Sequence, residues 1–186
     1  MNIATKIATR KVTLVLIYQM LIKNLSVAKN YASYRDFFYV NTNNINTNKT
    51  NDYHSTYYDW FLFAYNHYAN EEVLSNEISY IVDNFFSYKK KINIDFNYIN
   101  DTLMYICPRM QDIFYYINIY TKSFPIERMH FIDQSIFIMM YAELQTLDTP
   151  KEIILNEWIE LAKRYWNTWS QKIINWILHK LAFYQQ

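Results

Sequence analysis

The chain has 186 residues and contains no glycine, whereas roughly 13 would be expected from average usage. Tight turns with positive φ must then use Asn or Asp, which disfavours the many hairpins of an all-β protein. Glycine-rich phosphate loops, dinucleotide-binding turns and the strained nucleophile turn of Ser hydrolases cannot be built either. The missing glycine therefore favours a helical protein and excludes these glycine-dependent sites.

Composition limits the class of protein further. Hydrophobic residues make up 52% of the chain and charged residues 19%, enough to form a core in about one domain. The formal net charge of +1 excludes polybasic binding of nucleic acid but permits a local basic patch. Cys107 is the only cysteine, so no internal disulfide can form, and we expect a reducing compartment, the cytoplasm. Its neighbours Ile106 and Pro108 are apolar, which predicts a buried, unreactive thiol.

The N-terminal segment permits two interpretations. No apolar run approaches the ~20 residues of a membrane span, so we expect no membrane partner. A basic start, the apolar run 12–22 and small residues at 26–28 have the layout of a signal peptide. An amphipathic helix over residues 3–24 is the alternative, and we favour it. Its apolar residues recur with the spacing of one helix face, at Leu14, Ile17, Tyr18 and Leu21.

We interpret residues 1–186 as a single domain with four parts. They are an N-terminal helix region at 1–40, an Asn/Thr-rich loop at 41–52, a variable helical middle at 53–121 and a C-terminal helical bundle at 122–186. The loop contains one apolar residue, Ile45, and cannot bury enough surface to offset its ordering entropy. Within the middle part, 53–70 and 71–88 have helical patterns. The Tyr- and Ile-rich stretch 97–121 would also suit strands, and we assign it to helix because of its neighbours.

Three amphipathic helices with short connections are predicted for the C-terminal part, which indicates a compact antiparallel bundle. The first spans about 125–146, the second begins at a capping box from Thr149 to Glu152, and the third begins with Ser170 as N-cap. Their predicted buried faces are Met129, Ile132, Ile136 and Met140, then Ile154, Trp158, Leu161, Ala162 and Tyr165, and finally Ile174, Ile177, Leu178 and Leu181.

Catalytic and metal-binding constellations are missing from the sequence. No histidine stands at zinc-like spacing from another ligand, and Glu157 and Glu160 fit a solvated helix face, so we predict no metal, no cofactor and no enzymatic activity. Two basic stretches remain, at 6–11 and 163–172, and the second places cations beside Tyr165. This combination suits single-stranded RNA, which offers phosphates and unstacked bases. Cations at a helix C-terminus can instead complement the helix dipole, and Tyr165 can belong to the core.

Several C-terminal segments have a specific order and spacing of residues. Residues 155–163 read LNEWIELAK, residues 164–166 read RYW, and residues 170–180 read SQKIINWILHK. They resemble the motifs INEAIELAK, RYG and SxKFVNGVLDK of the NusB family of bacterial transcription antitermination factors. Residues 127–150 fit the helix that precedes these motifs, and residues 10–18 resemble the family's N-terminal pattern RxxAxxxLY.

The resemblance implies an all-α fold of two small antiparallel helical bundles, with about seven helices. It also implies a factor that binds boxA-like single-stranded RNA of ribosomal RNA leaders, together with the ribosomal protein NusE, in the transcription elongation complex. Carried over by position, the NusE side would include Tyr18 and Asp133. The RNA side would include Lys6, Arg10, Tyr165, Ser170, Gln171 and Lys172. The alternative is a NusB-like interaction module of an rRNA-modifying or ribosome-assembly complex, without antitermination activity.

The sequence departs from the family pattern at several positions. Ile7 and Ala8 occupy part of the N-terminal arginine cluster, which predicts few phosphate contacts, about 2–4, and a shallow salt dependence. Ile173 replaces an aromatic residue. Trp166 and Trp176 stand where the motifs have glycine, and an indole there is expected to overpack. One hypothesis is that a codon reassigned to glycine was read as tryptophan; the alternative is genuine divergence with tryptophan filling the core.

Overall fold

The computed structural model describes residues 3–29, 61, 63–86, 93–121, 124–165 and 168–183. The regular elements in these ranges are all helical, and residues 63–68 are helical too. Two short 3₁₀-helices, Cys107–Arg109 and Ile126–Arg128, join longer elements. The predicted all-α class is therefore confirmed. The α-helices are α1 (Ile3–Lys29), α2 (Glu71–Phe85), α3 (Phe96–Ile106), α4 (Met110–Tyr120), α5 (Phe131–Thr146), α6 (Lys151–Ala162) and α7 (Thr168–Phe183).

The Tyr- and Ile-rich stretch 97–121 is helical, as predicted, and forms most of α3 and α4. Asp95 starts α3, since its side chain accepts a hydrogen bond from the backbone N–H of Tyr98 at 3.0 Å. One face of each helix is apolar and buried, for example at Ile99 and Ile113. Burial of these faces in the core therefore outweighs the weak preference of the same residues for strands.

The predicted beginnings of the last two helices are wrong, by one residue for α6 and by three residues for α7. Helix α6 begins after Pro150 without a side-chain cap, so Thr149 forms no capping box. The carbonyl of Pro150 accepts the N–H of Ile153 at 2.9 Å instead. Helix α7 begins at Thr168, and Ser170 lies inside its first turn rather than at the N-cap. Helix ends are the least determined part of a helical pattern, because cap preferences differ by only about 1 kcal/mol.

Helix α5 is the centre of the fold. The eleven residues from Asp133 to Glu143 are all buried, so this helix is covered on every side. It packs against α1, α3, α4, α6 and α7. Helix α1 also packs on α2 and α3, and α7 on α4 and α6. The described core residues form one continuous hydrophobic cluster, so the elements of the two expected bundles share α5 and a common core.

Most of the predicted buried faces are confirmed. In α1, Leu14, Ile17 and Leu21 are buried, as the amphipathic-helix interpretation requires. In the C-terminal part the confirmed residues are Ile136, Met140, Ile154, Trp158, Leu161, Ala162, Ile177, Leu178 and Leu181. Four predicted residues are not fully buried. Tyr165, in the turn after α6, is 45% exposed and Tyr18 of α1 is 37% exposed, whereas Met129 and Ile132 are half-buried against the core. The side chain of Ile174 is outside the described residues.

The predicted overpacking at Trp176 is wrong. Its indole is 55% exposed on the surface of α7, and the Lys180 Nζ lies 5.7 Å from the ring centroid. An outward-facing side chain at this position needs no space in the core. Trp166 is outside the described residues, whereas Trp158 is completely buried.

Three further features concern membrane spans, metal ligands and the cysteine. In the described ranges, no helix is both long and apolar enough to cross a membrane. The same ranges contain no group of three His, Cys, Asp or Glu side chains that could hold a metal ion. Cys107 is buried, as predicted, and burial raises the pKa of its thiol to about 12.

We expect the free energy of unfolding to fall as the pH rises above about 9. Burial raises the pKa of Cys107 from 9.0 to about 12, and burial with the Glu77 charge raises that of Tyr68 from 10.0 to about 12. The unfolded chain therefore loses these protons first. The stability that they contribute is complete below pH 9.0 for the thiol and 10.0 for the phenol, and it is lost towards pH 12.

Each group contributes a slope of up to about 1.4 kcal/mol per pH unit in this window. Urea unfolding followed by circular dichroism between about pH 8 and 11 measures the slope. The variant Cys107→Ala should show a shallower decline than the wild type between about pH 9 and 10. Equal slopes in the two proteins would contradict the assignment to the thiol.

Candidate nucleic-acid interface

A buried ion pair joins the first helix to the central one. The Arg10 Nε of α1 donates to the Glu143 Oε1 of α5 at 2.6 Å, and Nη2 donates to Oε2 at 2.7 Å. The two side chains are 3% and 0% exposed. The paired hydrogen bonds match the guanidinium fork to both carboxylate oxygens, the strongest geometry for such a pair.

Three further side chains complete this buried network. The Trp158 Nε1 of α6 donates to the Glu143 Oε2 at 2.9 Å, and the Tyr98 hydroxyl of α3 donates to Oε1. The Arg10 Nη1 donates to the Glu157 Oε2 of α6 at 2.8 Å. Four helices are thus tied together through Glu143 and Arg10.

The burial of the Arg10 guanidinium is compensated by the hydrogen bonds that it makes within this network. Burial acts to lower the pKa of Arg10, but the hydrogen bonds and charge of Glu143 outweigh it and raise that pKa above its usual value. Burial, with a further contribution from Glu143, raises the pKa of Tyr98 well above 10.0, so its hydroxyl remains a donor. We therefore expect the Arg10 guanidinium to stay charged in its buried position.

The placement of Arg10 differs from that of an RNA-contacting residue. A guanidinium that is 3% exposed and bonded to two carboxylates could reach a phosphate only by leaving Glu143 unpaired. We therefore assign Arg10 to holding α1 against α5 and α6, and leave it out of the surface proposed below. Glu157 agrees only in part with the predicted solvated face, since its side chain is 36% exposed but pairs with Arg10, whereas Glu160 is solvent-exposed and pairs with Lys163.

The fold brings the two basic stretches of the sequence close together. Arg164 and Tyr165 are both exposed in the turn that follows α6. Lys11 of α1 is half-buried, and burial together with the nearby charge of Arg164 lowers its pKa below 10.5. Arg164 directly precedes Tyr165, whose pKa is raised by burial and lowered in part by the charge of this arginine. Cations of α1 and α6 and an aromatic ring therefore share one edge of the molecule.

For the other predicted RNA residues, the structure gives the position along the helices but describes only the side chain of Lys6. Lys6 is half-buried on α1, one turn before Arg10. Ser170, Gln171 and Lys172 lie near the start of α7, directly after the turn that carries Tyr165, and their side chains are outside the described residues.

The two residues predicted for the NusE side differ in exposure. Tyr18 of α1 is 37% exposed, whereas Asp133 in the first turn of α5 is buried. Tyr18 is therefore the more accessible of the two to a partner, and the assignment of both residues stays a prediction.

Sequence reasoning missed the roles of Glu143, Trp158 and Tyr98. A signal for Glu143 was present, because it is a single carboxylate at the end of an otherwise apolar run in α5. Buried carboxylates need a cationic or hydrogen-bonding partner. The identity of that partner could not be inferred from neighbouring residues, because Arg10 lies 133 residues earlier in the chain.

The described residues form an all-helical protein with a buried polar network around Glu143 and a basic edge that includes the exposed residues Arg164 and Tyr165. Residues 60–183 match the sequence model of the NusB family. The chain therefore belongs to the NusB family. Members of this family are non-enzymatic transcription antitermination factors, in agreement with the predicted absence of catalysis.

Individual relatives support this assignment over parts of their length. The transcription antitermination protein NusB of Buchnera aphidicola subsp. Cinara cedri is 35% identical over 95 residues, 50% of this chain and 65% of that protein. The Halothermothrix orenii protein of the same name is 32% identical over 95 residues, 51% of this chain and 70% of that protein. The Crocosphaera subtropica protein is 36% identical over 61 residues, but only 29% of its length is matched. No solved structure shows a significant match.

Proposed function

We propose that the protein is a transcription antitermination factor that binds boxA-like single-stranded RNA together with the ribosomal protein NusE. Membership of the NusB family supports the general role. The observation that carries the RNA surface is the exposed Tyr165 beside Arg164, with Lys11 of α1 at the same edge. An unstacked base can lie on the phenol ring while neighbouring phosphates meet the cations.

Further contacts extend this surface on both sides. Lys6 supplies a cation on α1, and Ser170, Gln171 and Lys172 supply polar groups near the start of α7. The contribution of Tyr18 and Asp133 to the NusE side is part of the same proposal. Few cations take part, so we expect weak binding of RNA alone and useful affinity only with NusE present.

Fluorescence anisotropy of a labelled boxA-like RNA tests the proposal, with a scrambled RNA of the same length as control. Each RNA is titrated with the protein, with and without the host's NusE. Tighter binding of the boxA-like RNA, strengthened by NusE, is the expected result. Equal or absent binding of the two RNAs by the folded protein with NusE would overturn the proposal and favour an interaction module in an rRNA-modifying or ribosome-assembly complex.

Replacing Tyr165 by alanine is expected to weaken binding of the boxA-like RNA by about 1–3 kcal/mol, the range of one base–aromatic stack. The loss should appear with both RNAs, because stacking tolerates any base. Tyr80→Ala is the matched control, since Tyr80 is also exposed but lies on α2. Equal affinities of the Tyr165 and Tyr80 variants in the same titration would remove Tyr165 from the RNA surface.

A further inference from the structure

We propose that Trp176 of α7 is a stacking platform for one base of single-stranded RNA, in addition to the contacts given above. This site rests on the proposed function and deepens it, because it adds a base contact to the RNA surface. The family resemblance does not assign it, since the motif SxKFVNGVLDK has glycine at position 176 and glycine has no side chain to stack.

The indole of Trp176 lies on the solvent side of α7. It is 55% exposed, whereas the next two residues, Ile177 and Leu178, are buried. The Lys180 Nζ lies 5.7 Å from the centroid of the indole, within the range of a cation–π contact. A large flat ring is therefore held at the surface of a helix with a cation beside it. These are the two components that binding of single-stranded nucleic acid uses.

The exposed face of α7 continues beyond this ring. His179 and Phe183 are both exposed, and the centroids of their rings lie 4.7 Å apart. Positions 176, 179, 180 and 183 have the spacing of neighbours on one helix face. The indole thus belongs to a strip of aromatic and cationic side chains along the helix, rather than being a single exposed apolar residue.

This strip is continuous with the proposed RNA surface. Helix α7 begins three residues after Tyr165, and Trp176 follows Lys172 by four residues, about 6 Å along the helix axis. The family motif has an aromatic residue at position 173, where this chain has isoleucine. The aromatic residue of this segment therefore stands three residues later in the chain, about one turn further along the same helix.

The charge of α7 favours a polyanion as the ligand. From Thr168 to Phe183 the helix contains two lysines and no Asp or Glu. The ring of Tyr80 is similarly exposed, at 57%, but its helix α2 contains no Lys or Arg. The carboxylates of α2 are Glu71, Glu72, Glu77 and Asp83. Phosphates approaching an exposed ring are thus attracted by the charges of α7 and repelled by those of α2.

Fluorescence anisotropy of the labelled boxA-like RNA, with and without NusE, tests the site. Trp176→Ala and Trp176→Leu remove the aromatic ring, and leucine keeps an apolar side chain. Trp176→Phe keeps a smaller ring that can still stack. Tyr80→Ala is the matched control, because the two rings are equally exposed but lie on helices of opposite charge. Thermal melts verify that every variant is folded.

We expect Trp176→Ala and Trp176→Leu to weaken binding by about 5- to 150-fold, the range of one base–aromatic stack. The factor should be the same with and without NusE. Trp176→Phe should retain most of the affinity, and Tyr80→Ala should bind as the wild type does. Wild-type affinity of Trp176→Ala would overturn the site. A loss seen only with NusE present would overturn it as well, because the ring would then contact NusE.

A scrambled RNA of the same length separates this site from the proposed function. If the boxA-like RNA is preferred and Trp176→Ala binds it as tightly as the wild type, the site is rejected and the function is retained. If both RNAs bind equally and Trp176→Ala weakens both, the stacking site is retained and the proposed function is rejected. If the folded protein binds neither RNA, both are rejected.

The site also requires tryptophan at position 176 in the protein that the host makes. Mass spectrometry of the peptide that contains residue 176, from protein purified out of the host, measures this directly. We expect the mass of tryptophan. The mass of glycine would overturn the stacking site and leave the proposed function unaffected.

Discussion

Replacing Glu143 by alanine is expected to lower the free energy of unfolding by about 3–5 kcal/mol, the range found when one partner of a buried ion pair is removed. The variant leaves the buried Arg10 guanidinium without its bidentate partner. It also removes the acceptor of the Trp158 indole N–H and of the Tyr98 hydroxyl. Urea unfolding followed by circular dichroism at neutral pH measures the loss.

Glu160→Ala is the matched control. Its carboxylate is exposed and pairs with Lys163, so its removal should change the free energy of unfolding by less than about 1 kcal/mol. A similar small change in Glu143→Ala would contradict the role assigned to the network. If Glu143→Ala does not fold, Glu143→Gln provides the measurement, because the amide oxygen still accepts hydrogen bonds. It should be less stable than the wild type but folded.

The second large effect is expected at Trp158. Truncation to alanine should lower the free energy of unfolding by about 3–5 kcal/mol, because the indole is completely buried among α6 and its neighbours. The variant also removes a donor to Glu143 and the ring that lies 5.9 Å from the Arg10 guanidinium carbon. The same urea unfolding experiment measures the change.

Trp176→Ala is the matched control for Trp158→Ala. Its indole is 55% exposed on α7, so the free energy of unfolding should change by no more than about 0.5 kcal/mol. A larger loss at Trp176 than at Trp158 would show that the indoles are packed in a different way. The comparison also concerns the hypothesis that a codon reassigned to glycine was read as tryptophan. If residue 158 were glycine, the protein would have the same cavity as Trp158→Ala and would lose roughly 1 kcal/mol more, because glycine has a lower helix propensity than alanine.

Local patterns were sufficient to predict most of the helices. The spacing of Ile154, Trp158 and Leu161 correctly indicates which face of α6 is buried, because that face depends only on the helical repeat. The same holds for Ile177 and Leu181 of α7. Helix beginnings were less predictable, because several neighbouring residues can start a helix at similar free energy.

The candidate site was only partly predictable, for a different physical reason. Arg10 lies among Lys6 and Lys11, and from sequence it resembles a surface cation. Its burial depends on Glu143, which is 133 residues away, so no local window contains the information. Tyr165 shows the opposite case, because it continues the spacing of the buried α6 stripe but lies beyond the end of the helix and is exposed.

The connection between α1 and α5 also has a consequence for the order of folding during synthesis. Glu143 is made 133 residues after Arg10, and Trp158 and Glu157 follow later still. At about 5–20 residues per second, Arg10 is made roughly 7–27 s before Glu143. The part of the α1 surface that packs on α5 therefore stays uncovered until α5 emerges, although α2 and α3 can cover another part earlier. Nascent chains stalled before residue 143 should expose this face, whereas chains stalled after the end of α7 should bury it.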